Sequence, residues 1–173
     1  AHARLGAVLE EAGFRKLALR HLRAAVDADP KDAATWHRLA RALSDADTAG
    51  AIEAFGKAVA LAPENGRARV DLATVLALGR QGARADDERR RAVEAAPDDP
   101  VVLAAVGGVL AARQGAEREE GRRLLERAVR LDPSAADAWV GLARLALDAG
   151  DARSTRRCAS RAVALAPGDA AAW

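Results

Sequence analysis

Five prolines recur at a nearly constant interval and constrain the chain more than any other feature. Pro30, Pro63, Pro97, Pro133 and Pro167 are separated by 33, 34, 36 and 34 residues. Each closes the same kind of segment: AAVDADP, KAVALAP, RAVEAAP, RAVRLDP and RAVALAP. There are 6 prolines in all, so five in phase mark an internal repeat rather than scattered turns. A period of 20–50 residues indicates a stacked array in which each unit buries its apolar face against its neighbours.

Within a unit the apolar pattern has the helical period. Trp139, Leu142, Ala143 and Ala146 fall at i, i+3, i+4 and i+7 of a first helix over Ala136–Ala149. Gly150 and Asp151 mark a turn, and a second helix over Ala152–Leu165 ends before Pro167. Proline cannot continue a helix, because it lacks the N–H and its ring clashes with the preceding turn. Small residues recur where paired helices must approach: Gly6, Ala40, Ala73, Gly107 and Ala143 in first helices. Ala18, Ala51, Ala85 and Gly121, then Ala25, Ala58, Ala92, Ala128 and Ala162, take those places in second helices. Leu5, Leu39, Leu72, Val106 and Leu142 supply the larger apolar partner. Ala58→Leu and Ala162→Leu are expected to cost roughly 1–3 kcal/mol by overpacking, measurable by urea denaturation.

Composition agrees with an all-α fold. Alanine occupies 47 of 173 positions and aromatic residues 3%, too few for a sandwich or barrel. Twenty-seven basic against 25 acidic residues leave a net charge of +2. The arginines of ARADDERRR (83–91) and REEGRRLLERAVR (118–130) are interleaved with acids, so no concentrated stripe for nucleic acid is expected. The single cysteine, Cys158, excludes an internal disulfide framework, and its surroundings read as a half-buried core position. No stretch has the length and apolarity of a membrane span. His2, His21 and His37 lie in different helices without metal-ligand spacing, and no catalytic constellation is present. No cofactor, metal or catalytic residue is therefore expected. The second unit is one residue short, near Ser44–Thr48. The fourth is two longer, around Arg113–Glu119.

These positions resemble the tetratricopeptide repeat. Trp36, Leu39 and Ala40, then Ala51, Phe55, Ala58 and Pro63, carry the pattern in one unit. Trp139, Leu142, Ala143, Gly150, Ala159, Ala162 and Pro167 carry it in another. The resemblance covers a single array of about five repeats: 1–32, 33–65, 66–99, 100–135 and 136–169, with a further repeat starting at 170–173. It implies an α–α superhelix of stacked helix–turn–helix hairpins, with a concave groove lined by first helices. That groove is expected to bind a protein or peptide through His37, Arg41, Ser44, Arg67, Val70, Thr74, Val101, Ala104, Gly108, Asp137, Val140 and Arg144. The Lys and Asn clamp of chaperone-binding relatives is absent. The asparagine ladder of glycosyltransferase-associated arrays is replaced by Arg4, Arg38, Asp71, Ala105 and Gly141. The chain is thus expected to be a non-catalytic binding scaffold. The alternative is a recruiting arm of a larger enzyme such as a glycosyltransferase. The missing methionine, and arginine's excess over lysine (24 against 3), lead us to expect part of a larger bacterial protein, with a cytoplasmic location favoured. Trp173 beyond the last full unit, and His2 at the other end, are expected to support head-to-tail self-association.

Overall fold

A computed structural model describes residues 2–166. The described residues form ten α helices and no strand: α1 His2–Glu11, α2 Arg15–Ala28, α3 Ala33–Leu43, α4 Thr48–Leu61, α5 Gly66–Leu78, α6 Gly82–Ala95, α7 Pro100–Ala111, α8 Gly115–Leu131, α9 Ala136–Asp148 and α10 Ala152–Leu165. The expected start of a further repeat at 170–173, with Trp173, lies outside the described residues, as does Pro167. The helices gather into two compact units, one of α1–α6 and one of α7–α10. In each unit consecutive helices pair as antiparallel hairpins, and each second helix also packs on the first helix that follows it.

The starts of the first helices follow from the closing prolines. Two residues after Pro30, Pro63 and Pro97 stand Asp32, Asn65 and Asp99, and each caps a helix with its side chain. Asp32 accepts from the backbone N–H groups of Ala34 (3.0 Å) and Thr35 (3.2 Å) and from the Thr35 hydroxyl. Asn65 accepts from Ala68 N–H at 3.0 Å and Asp99 from Val101 N–H at 2.9 Å. These bonds satisfy amide groups that a helix start leaves without partners. After Pro133 the same place is Ala135, which has no capping side chain although its φ of −69° and ψ of 84° match those of Asn65. Ala135→Asp should therefore stabilise the protein by about 1 kcal/mol, read from the urea midpoint.

Hydrogen bonds from Thr35, above all from its hydroxyl, hold the Asp32 carboxyl below its ordinary value of 3.8. A carboxyl depressed by folding contributes stability that is complete above its unfolded pKa and is lost as pH falls through its lower folded one. Asp32→Ala is expected to cost about 1 kcal/mol at neutral pH. Urea titrations at a series of pH values should show that difference shrinking below pH 3.8.

A second device locks the first turn of first helices. The Trp36 indole N–H donates to the Pro30 carbonyl at 2.9 Å, and Trp139 does the same to Pro133 at 3.1 Å. In the third repeat Arg69 stands at this place, and its Nε–H donates to the Pro63 carbonyl at 3.0 Å. Its Nη1 also meets Glu88 of α6 at 2.8 Å, in an ion pair whose two side chains are mostly buried. The fourth repeat has Leu103 there, fully buried.

Packing follows the small-residue pattern. Ala18, Ala51 and Ala85 are 0% exposed, and Ala58, Ala92, Ala128 and Ala162 are also buried. Phe55, Leu22, Leu76, Leu103, Leu125 and Val102 fill the spaces between them. Leu39, Leu72 and Val106 are buried as expected, but Leu5 is 45% exposed. The two extra residues of the fourth unit are absorbed into α8, which has 17 residues where α2, α4, α6 and α10 have 14.

Two glycines mark a close crossing of α7 and α8. A Cβ added at Gly121 would lie 2.3 Å from Ala111 N and 2.8 Å from Gly107 O. A Cβ at Gly107 would lie 3.0 Å from Gly121 O and from Leu125 Cγ. The adjacent Gly108 faces away, and a Cβ there would meet nothing within 4 Å. The glycine pair thus has one member at the helix contact and the other on the opposite side.

Candidate functional site

The opposite side of α7 is one wall of an open cleft of about 560 Å³ whose other wall is α9. Ala104, Ala105, Gly108 and Val109 of α7 and Ala112 at its C-terminal cap line it on one side, and Asp137, Val140, Gly141 and Arg144 of α9 on the other. The spacing explains the lining. Ala104, Gly108 and Ala112 are four apart, and Asp137, Val140 and Arg144 follow the same helical stripe of α9. Gly141 also faces α8, where a Cβ would press on Leu125 Cδ1 at 2.8 Å. Arg144 reaches across the cleft and donates from Nη2 to the Gly108 carbonyl at 2.9 Å. That carbonyl is approachable because residue 108 carries no side chain.

The cleft therefore brings together five residues of the expected groove: Ala104, Gly108, Asp137, Val140 and Arg144. Val101 lies one turn earlier on α7, is 51% exposed and is outside the lining. Ala105, Val109, Ala112 and Gly141 line the cleft without having been among the expected groove residues. For Ala112 the signal was the helical stripe running on from Ala104 and Gly108.

In the unit of α1–α6 the expected groove residues serve different ends. His37 Nε2 of α3 meets Asp71 Oδ2 of α5 at 2.7 Å, and its ring stands edge-on to Phe55 at 5.3 Å. Ser44 Oγ donates to the Ala40 carbonyl and Thr74 Oγ1 to the Val70 carbonyl, both at 2.9 Å. Both hydroxyls thus bond back to their own helices. Val70 is half-buried and Arg67 exposed. Arg41 lines a separate cleft of about 390 Å³ with Glu10, Gly13, Arg15, Ala42 and Asp45. There Arg15 pairs with Asp45 at 2.8 Å and donates to the Ala42 carbonyl at 3.0 Å.

His2 and His21, distant in sequence, stack with ring centroids 5.1 Å apart and Nδ1 atoms 2.8 Å apart. Among the described residues, no group of three or more potential ligands could hold a metal ion. Cys158 is 4% exposed and lines an outer cavity of about 340 Å³ with Trp139, Arg122 and Arg157. No described helix is long and apolar enough to cross a membrane.

Repeated hairpins, capped by a side chain after three of the closing prolines and carrying an open face between first helices, define a helical-repeat scaffold. Residues 42–107 match the model of the tetratricopeptide repeat, and the described helices have the fold of solved tetratricopeptide-repeat proteins. Among solved structures it is similar to TTC0263, a thermophilic tetratricopeptide-repeat protein of Thermus thermophilus. The identity is 24% and the TM-score 0.76, covering 97% of this chain and 91% of that one. YrrB, described as a tetratricopeptide-repeat protein with an unusual peptide-binding site, is 21% identical with a TM-score of 0.66, covering 99% and 88%. MamA is 19% identical with a TM-score of 0.71, covering 92% and 93%. No curated protein matches the chain. The fold is typically a non-catalytic scaffold for protein interaction.

Proposed function

We propose that this chain is a peptide- or protein-binding scaffold and that the cleft between α7 and α9 holds the partner. The observation that carries this reading is the cleft itself. Its walls are alanine, glycine and valine, with one carboxylate and one guanidinium at its rim. A shallow apolar trough with a few placed polar groups suits a partner segment that supplies the larger side chains. YrrB, with its peptide-binding site, supports the class of ligand.

The test is selection of binders from a random peptide library on the immobilised chain, followed by isothermal titration calorimetry. A 1:1 complex with a negative heat-capacity change is expected, because apolar surface is buried. Val140→Glu should weaken it at least tenfold, a loss of roughly 1.4 kcal/mol or more. Selected peptides that bind Val140→Glu as well as the parent chain would place the site elsewhere.

A further inference from the structure

The cleft has a charge pattern that specifies its occupant more narrowly, an inference that rests on the peptide-binding reading above. Asp137 and Arg144 both line it from α9, and no ion pair joins them. Seven residues of helix separate them, about 10 Å along the axis, and two turns put them on one face. Val140 lies between them on α9, and Ala104 and Gly108 line the facing wall. Arg144 is held by its bond to the Gly108 carbonyl through Nη2 alone, leaving the guanidinium its other donors. The α9 stripe thus reads acid, apolar, base over about 10 Å.

The separation of the two charges sets the form of the occupant. A helical segment would need its own charges seven positions apart to span about 10 Å. In a polyproline-II conformation, three residues advance about 9 Å and return side chains to the same side. We propose that the α7–α9 cleft recognises an extended segment carrying a basic and an acidic residue three positions apart, with apolar residues between. The base pairs with Asp137 and the acid with Arg144.

The probes are short labelled peptides with a Lys-Leu-Pro-Glu core, measured by fluorescence anisotropy against the full chain. Variants replace Lys by Glu, replace Glu by Lys, or delete one intervening residue. The parent peptide should bind best, with about a fivefold loss for each mispaired charge and a comparable loss for the shortened spacing. Asp137→Lys should invert the preference, so that the peptide with two glutamates binds better than the one with Lys and Glu. Near the start of a helix, Asp137 also favours the helix dipole. A role confined to that would lower the melting temperature of Asp137→Lys and leave the peptide order unchanged, which overturns the proposal. So would preference for a helical peptide with its charges seven apart. If charge and spacing have no effect but Val140→Glu still abolishes binding, the charge rule fails and the cleft reading stands. If Val140→Glu has no effect on any peptide, the cleft reading fails.

Discussion

Gly121→Ala is expected to destabilise the unit of α7–α10 by about 3 kcal/mol. The added Cβ would lie 2.3 Å from Ala111 N and 2.8 Å from both Gly107 O and Leu110 C. All three are backbone atoms of α7, so no side-chain rotation relieves the contact and the two helices must separate. Separation opens space around Leu125, which is 0% exposed at the same crossing. Overpacking of this kind costs about 1–3 kcal/mol and sometimes more. The higher helix propensity of alanine returns up to about 1 kcal/mol, which is included in the figure. Urea denaturation followed by circular dichroism gives the value. A loss below about 0.5 kcal/mol, the usual effect of a neutral surface change, would mean that α7 and α8 do not cross at Gly107 and Gly121.

Gly108→Leu should do the reverse to stability and remove binding. A side chain at 108 meets no atom within 4 Å of its Cβ and projects into the cleft between α7 and α9. Replacing a mid-helix glycine should stabilise the helix by up to about 1 kcal/mol. Yet the leucine side chain would fill the centre of the trough and cover the carbonyl to which Arg144 donates. Binding of a selected peptide should fall by about a hundredfold or more, equivalent to roughly 2.7 kcal/mol, while the melting temperature holds or rises. Loss of stability together with binding would show that residue 108 is a packing position. Unchanged affinity would remove the cleft from the binding face.

Much of this was legible in the sequence. The five prolines marked where second helices end, and the alanines four and seven apart marked their buried stripes. The cap residues stood in the sequence two places after Pro30, Pro63 and Pro97. They are recognisable as caps only once the helix start is placed there. The glycine pair was legible as a close contact or a groove feature. The structure divides those roles, Gly107 to the crossing and Gly108 to the cleft, because adjacent helix residues point about 100° apart. Pairings across repeats were not legible. His37 with Asp71 joins residues 34 apart, and Arg69 with Glu88 depends on arginine occupying a place where other repeats have tryptophan. The turn at Arg80 was hidden for a similar reason. Its φ is +58°, a conformation usually given to glycine, while the neighbouring Gly79 has an ordinary φ of −75°.

The central claim is that partners occupy the face between α7 and α9, and amide chemical-shift mapping tests it most directly. Uniformly 15N-labelled chain would be titrated with a selected peptide and its backbone resonances followed. The account predicts that the largest shifts fall on Ala104, Ala105, Gly108, Val140, Gly141 and Arg144, with small ones on the outer residues Arg122, Arg130 and Arg157. Shifts concentrated around Trp139, Cys158 and those arginines, with Gly108 and Arg144 unmoved, would contradict it.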